Sequence, residues 1–501
     1  MKKKIFLLAS LLCFLLWHPA YAQTWSNVSP SWAAANQTAY SMVAYGADLY
    51  VGTSNNEGAQ VWEYDGTAWT NVTPGWAAAN VIAAGMVTYG ANLYVATNNT
   101  EGAQIWQYDG TIWTNVSPPW AAANRSALSI AVSGAHLYVG TANSSGAQVW
   151  QYDGTAWTNV SPGWGAANTS VAGIAAFGVH LYAGTANSSE GAQVWQYDGT
   201  AWSNVTPGWA AANVAVVGMS AYGTSLYAGT MNSGGAQVWQ YDGTAWSNVS
   251  PPWAAANRMA FSMAVYGANF YVGTLNYSGG AQVWQYNGTA WTNLTPGWAA
   301  QNITAAGMAA CGANFYVGTD YSPGGAQVWQ LEVPVFPEQG TTGTEITVKG
   351  SEFGATKGKV FVGNVVLKIL DWTDSSISCQ LTKAMSPGTY PVTIQPKAKG
   401  ASPIEMTNGF TVKAPEIDSV DPTGGSAGDK IVIEGKFFGT KKGKVSLGNK
   451  NCKVVTWEMN PTTGGSAIQF VVPKGLTPGP HDLKVTTTRV GSDTVSFTVQ
   501  K

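Results

Sequence analysis

One pattern governs what this chain can fold into. The tetrad Trp-[Thr/Ser]-Asn-[Val/Leu] returns with its Trp at positions 25, 69, 113, 157, 202, 246 and 291, a spacing of 44 or 45 residues. A second mark, Ala-Gln-[Val/Ile]-Trp, also returns seven times, with its Trp at 62, 106, 150, 195, 239, 284 and 329. Self-similarity at such a period signals one supersecondary unit stacked on copies of itself. Residues 84–118 hold four short runs of β-branched, aromatic or alternating residues, AGMVTYG, NLYVATN, AQIWQYD and IWTNVSP, and these read as strands. Gly-Ala-Asn after the first run and Asp-Gly-Thr after the third supply the turns between them. Four strands per repeat at this period describe a propeller blade.

Seven blades in a ring cover both faces of every sheet with a neighbour, which explains large apolar residues and few charges in the strands. The two ends predict how the ring closes. It begins with a fourth-strand sequence, TWSNVSP at 24–30, and ends with a third-strand sequence, GAQVWQL at 325–331. The N-terminal strand is therefore expected to complete the last blade, leaving no open sheet edge, with the propeller occupying 23–333. The LYVGT runs and the W-x-N-[VL] outer strand resemble those of kelch- and tectonin-like propellers, although the double Gly of kelch blades is absent. The copies are unusually alike: SPPWAAANR stands unchanged at 117–125 and 250–258.

The charge divides near Pro334. Residues 24–333 carry no Lys and two Arg against twelve Asp or Glu, whereas 334–501 carry nineteen Lys or Arg against fourteen acids. Within the basic part, TEITVKGSEFGATKGKVFVGN at 344–364 lines up with DKIVIEGKFFGTKKGKVSLGN at 429–449. The pattern from Pro415 to Phe438, P-E-I-x-S-V-x-P-x-x-G-x-x-G-D-x-I-x-I-x-G-x-x-F, resembles an IPT/TIG domain. The resemblance implies two immunoglobulin-like sandwiches, at 334–413 and 414–501, acting as spacers or contact modules. The fold class expected is all-β: a seven-bladed β-propeller plus two immunoglobulin-like β-sandwich domains. The tail lysines read as a solvated surface.

The leading stretch MKKKIFLLASLLCFLLWHPAYA, residues 1–22, has the basic start, apolar middle and small-residue end of a secretory signal peptide cut before Gln23. The mature protein is expected to be secreted or extracytoplasmic, free or at the cell surface. It has no later segment apolar enough to span a membrane. The Lys-free ring argues against nucleic acid as a partner.

Catalysis needs an acid, base, nucleophile or metal ligand in a special place. His136 and His180 fall in a turn slot that other repeats fill with Asp48, Asn92, Ser225, Asn269 and Asn314, and His481 stands alone. Asp65, Asp109, Asp153, Asp198 and Asp242, with Asn287 in the sixth copy, sit in Tyr-Asx-Gly-Thr and read as hairpin residues. The D-G-T-x-W run resembles the Asp-box of sialidase propellers, one residue short. A sialidase needs an arginine cluster, but Arg125 and Arg258 lie on blades that are not adjacent. A copper radical oxidase of the galactose oxidase type needs two His, two Tyr and a Cys around one metal, and no irregular blade offers them. Cys311, Cys379 and Cys452 are scattered. No enzyme activity, metal or cofactor is expected.

Strand direction places the fourth-to-first and second-to-third loops on one face, the default binding surface. Its indoles are Trp32, Trp76, Trp120, Trp164, Trp209, Trp253 and Trp298. Its amides are Asn36, Asn80, Asn124, Asn168, Asn213, Asn257 and Asn302, joined by Asn55, Asn99, Asn143, Asn187, Asn232 and Asn276. Indole faces stack on sugar C–H groups while amides bridge hydroxyls. These residues point to multivalent recognition of neutral glycans. The alternatives are a protein-binding adhesion or matrix scaffold, and loop indoles that fold inward to cap blade contacts. The strand Trp residues at 62 and 69, and their repeats, are expected in the core.

Overall fold

The computed structural model describes residues 24–501 except 268, 313, 322–323, 333, 351–352, 398–401, 462 and 488–489. The stretch read as a signal peptide lies outside the described residues. Every regular element among those described is a strand. Thr24–Glu332 forms one compact unit, and the residues after it belong to another.

The first unit is a ring of seven four-stranded antiparallel blades. Blade 4 shows the plan: Ser170–Phe177, His180–Ala186, Val194–Tyr197 and Trp202–Asn204 pair in that order. The first hairpin turns at Gly178 with φ of 59°, a backbone state that glycine adopts without strain. The last hairpin is organised by Asp198, whose Oδ1 accepts from Thr200 N, Thr200 Oγ1 and Ala201 N at 2.7, 2.8 and 2.7 Å.

Hydrophobic burial lies between blades rather than within one. Val171, Leu181 and Ala183 of blade 4 pack with Tyr138, Ala147 and Val149 of blade 3. The same packing requires a hole. A Cβ at Gly184 would run into Val216 of blade 5, so glycine lets these two sheets close, whereas blade 2 carries a buried Ala96 at the equivalent position. Blade 7 takes three strands from one end of the repeat region, Asn302–Cys311, Asn314–Tyr321 and Gln327–Glu332, and its fourth, Thr24–Asn27, from the other. Trp25 pairs with Leu331 and Asn27 with Trp329 in antiparallel register. The first strands of all seven blades line a central channel of 330 Å³.

The second unit contains two sandwiches of identical plan. Each sets a four-stranded sheet against a five-stranded one. In the first, Glu345–Lys349 pairs with Ser376–Gln380, and Ile404–Val412 pairs with Gly388–Gln395. Alternation places Ile346, Val348, Val392 and Ile394 in the core. In the second, Ile431, Ile433, Phe470 and Phe497 play that part. Sheets packed face to face with alternating inward residues are the immunoglobulin-like arrangement.

Candidate functional site

The seven loop indoles turn toward the blades. Trp76, Trp120, Trp164, Trp209, Trp253 and Trp298 donate Nε1 to the carbonyls of Ala59, Ala103, Ala147, Ala192, Ala236 and Ala281 at 2.7–3.0 Å. Trp32 does the same to Ala326 at 2.8 Å. Each ring then meets the next blade edge-on: Trp164 lies 5.8 Å from Trp195 at 73°, and 6.1 Å from Trp202. All seven remain partly exposed.

The loop amides are deeper. Asn36, Asn80, Asn124, Asn168, Asn213, Asn257 and Asn302 are 0–4 % exposed, and Asn55, Asn99, Asn143, Asn187, Asn232 and Asn276 are 0–9 % exposed. In blade 2, Asn80 Oδ1 accepts from Thr97 Oγ1 at 2.7 Å and Asn99 Nδ2 at 3.1 Å. Asn80 Nδ2 donates to Gln104 Oε1 at 2.8 Å, and that oxygen also accepts Trp106 Nε1 at 3.0 Å. The amides thus satisfy one another in a buried ladder that ends on the third-strand indole. Asn187 Nδ2 is the one buried side-chain polar atom without a partner among the described residues of the ring. Burial of so many amides is tolerable because nearly every donor and acceptor is paired.

Open surface lies elsewhere, at the outer boundary between blades. The expectation that the strand indoles are core is corrected here. Of the fourteen, Trp284 is buried at 8 % and the other thirteen are partly exposed. The reason is geometric: blades radiate, so the wedge between neighbours widens outward and the outermost strand has no fifth strand to cover it. Each fourth-strand indole bridges this wedge. Trp202 Nε1 donates to Val160 O of the preceding blade at 2.6 Å, and the equivalent bond, at 2.6–2.7 Å, recurs at all seven boundaries.

Among the described residues, two of these wedges form grooves of 550 and 360 Å³. The larger is walled on one side by Asn159, Val160, Ser161, Pro162 and Gly163, and on the other by Trp195, Tyr197, Thr200, Ala201 and Trp202. The smaller repeats the set one blade on, from Val205–Gly208 across to Trp239, Tyr241 and Trp246. No charged side chain lines either groove. Tyr197 and Trp202 stack at 4.8 Å and 25°, and five other blades repeat the pair at 4.6–4.8 Å. Asn159 Oδ1 accepts from Ser161 N and Ser161 Oγ, while its Nδ2 has no partner among the described residues. The walls offer the partly exposed rings of Trp195 and Trp202, with Tyr197, 6 % exposed, backing Trp202 from the core, together with the Asn159 amide and backbone groups.

Sequence reasoning passed over these residues by counting the strand indoles as core and the loop residues as exposed. A signal was present: Trp195 and Tyr197 are two apart on one strand, and Trp202 opens the next, so three rings share a single face. The seventh boundary differs, since Leu331 stands where other blades have Tyr and the chain leaves the ring before any turn.

His136 and His180 open second strands and lie edge-on to Tyr138 and Tyr182 at 6.2 and 6.5 Å. The three described cysteines are free thiols, and burial pushes Cys379 up to about 12. Among the described residues, no group of three His, Cys, Asp or Glu is placed to hold a metal ion. No described helix is long and apolar enough to cross a membrane.

Residues 333–411 and 415–499 each match the family described as the IPT/TIG domain. The C-terminal third is a tandem of IPT/TIG domains. Fibrocystin-L of Mus musculus is 23 % identical over 168 residues, and that of Homo sapiens 24 %. The aligned stretch is 33 % of this chain and 4 % of either relative, so the chain spans a small fraction of their length. Among solved structures, "YCF48 bound to D1 peptide" is 12 % identical with a TM-score of 0.45, covering 63 % of this chain and 97 % of that one. The Pan2 WD40 domain of Neurospora crassa is 9 % identical at 0.44, covering 61 and 95 %. An Aleuria aurantia lectin in complex with Fucalpha1-6GlcNAc is 16 % identical at 0.37, covering 52 and 98 %.

Proposed function

We propose that the ring is a multivalent recognition module for neutral glycans, secreted or displayed outside the cytoplasm, with the IPT/TIG tandem as its spacer. The observation that carries this reading is the uncharged groove between blades, walled by a Tyr–Trp stack and a third-strand indole. Such walls suit a sugar ring, whose C–H face packs on indole while its hydroxyls take amide and backbone hydrogen bonds. The loop indoles enter as supports: Trp164 props Trp195 and Trp202 from behind. The buried Asn ladder fixes the third-strand indole through Gln. Weak, equivalent sites on one rigid ring gain avidity for a repetitive ligand without any new contact.

The test introduces a carboxylate at an exposed turn position of six blade boundaries, including the two that carry the grooves. Ala68, Ala156, Ala201, Ala245 and Ala290, with Ile112 in the second copy, are all exposed. The six-fold change to Glu is expected to keep the circular dichroism spectrum and melting profile while abolishing binding on an array of neutral glycans. An array that stays blank for the unaltered protein, with partners recovered only by protein capture, would replace the sugar reading with a protein-binding scaffold.

A further inference from the structure

The two IPT/TIG domains meet at a built joint. Thr440 N donates to Thr342 O at 3.1 Å and Glu345 N to Pro461 O at 2.9 Å. Val490 of the second domain is buried in the core of the first. A Cβ at Gly343 would collide with the side chain of Thr440, so the approach depends on glycine there. A pocket of 600 Å³ opens at this joint.

Two features of the pocket point the same way. Lys383, Lys441 and Lys442 line it and no acidic side chain does. Lys442 Nζ is engaged by Val454 O at 3.0 Å, whereas Lys383 and Lys441 have no partner among the described residues. Thr341 and Thr342, 1 and 6 % exposed, also line the pocket. Their Oγ1 atoms are buried without any hydrogen-bond partner. Buried hydroxyls are normally paired, and two orphans beside three cations form an arrangement that lacks its acceptor.

We propose that this joint binds a tetrahedral oxyanion, a phosphate or sulfate group carried as an ester by a larger molecule. Lys383 and Lys441 supply the charge, and the Thr341 and Thr342 hydroxyls, unpaired and closed to solvent, become donors when a χ1 rotation turns them toward the bound group. Val365 and Ala384 give the rest of the molecule an apolar wall. The site is independent of the ring and of its proposed ligand.

Calorimetric titration of the full chain at low ionic strength, with inorganic phosphate, inorganic sulfate and acetate in separate runs, tests this. One saturable site per chain is expected for phosphate, sulfate or both, and whichever binds names the ester. The double variant K383Q/K441Q is expected to weaken binding by about tenfold or more, since charge-assisted bonds supply it. The variant T341V/T342V should weaken it without lowering the melting temperature, because valine keeps the shape and removes an unpaired hydroxyl. No saturable heat with either tetrahedral anion would overturn the proposal. So would acetate binding equally well, or an affinity unmoved by the lysine changes.

Discussion

The rim and the channel of the ring are made from one repeat, yet they treat it in opposite ways. At the rim, the stack of Tyr on Trp and the indole bond to the preceding blade recur with distances that differ by about a tenth of an ångström or two. At the channel, the equivalent first-strand position reads Tyr40, Ala84, Leu128, Ala172, Val217, Phe261 and Ala306. Tyr40 and Phe261 meet edge to face at 5.7 Å and 87°, and burial raises the Tyr40 phenol above its ordinary pKa. The difference follows from volume. Each boundary between blades at the rim is a separate space, so identical residues fill each one. The lumen is a single space shared by all blades, and seven equal large side chains do not fit around one axis at native packing density. Sequence symmetry is kept where sites are independent and broken where they share a core.

The largest expected effect comes from removing what makes the rim continuous. Deleting residues 24–30 strips blade 7 of its outer strand and of the Trp25 bond to Leu294 at 2.7 Å. It also leaves Gln327–Glu332 as a bare edge. The ring is expected to lose its cooperative thermal transition and to aggregate in size-exclusion chromatography, since an unpaired edge invites intermolecular pairing. A monomeric deletion variant with a sharp melt would show that blades close without the terminal strand.

Next comes a channel residue. Phe261→Ala removes one partner of the crossing pair, and the expected loss is about 3 kcal/mol, toward the lower end for Phe truncations because the ring partly faces the lumen. Val217→Ala should cost about 1 kcal/mol by the same scale, so two substitutions at equivalent positions should differ visibly in denaturant midpoint. Rim changes should not differ. Trp113→Phe and Trp202→Phe each remove one indole donor, to Val72 O and Val160 O, and each is expected to cost about 1 kcal/mol. If the two rim variants diverge as widely as the two channel variants, the independence of the grooves is wrong.

Much of this was legible in the sequence because repetition amplifies weak signals. Seven copies of four alternating runs made the blade, and the matching ends of the repeat showed which strand the last blade lacked. The IPT/TIG pattern from Pro415 to Phe438 carried the sandwiches. The site was less legible. The motif WAAAN reads as exposed, but its Asn caps a buried ladder, because Thr97 and Gln104, distant in the chain, arrive to pair with Asn80. The strand indoles read as core, yet radial divergence of the blades opens them. The channel variation was passed over because it is confined to one position per copy, where it resembles neutral drift between apolar residues. The lysines at 383, 441 and 442 looked like ordinary surface until the joint brought them to one pocket.

The smallest effect is also the most directly countable at the rim. The Asp153 and Asp198 carboxyls are held down to about 2, first by the amides of Ala156 and Ala201 and then by the Thr155 and Thr200 groups. Asp109 and Asp242 are lowered in the same way, and Asp65 chiefly by the Thr67 hydroxyl and then by the Ala68 amide. A carboxylate depressed in the folded state stabilises fully above its ordinary value of 3.8, and that contribution disappears as pH falls from there through about 2. In the sixth turn Asn287 takes the same bonds, from Thr289 N at 3.0 Å and Ala290 N at 2.8 Å, but has no proton to gain. On acidification from pH 4 to 2, the amide resonances of Ala156 and Ala201 are therefore expected to move while that of Ala290 stays. Replacing the five aspartates by asparagine should flatten the fall in melting temperature over that range. An equal fall in wild type and variant would mean that acid acts on the ring through other groups, and that the turns at its edge contribute geometry without charge.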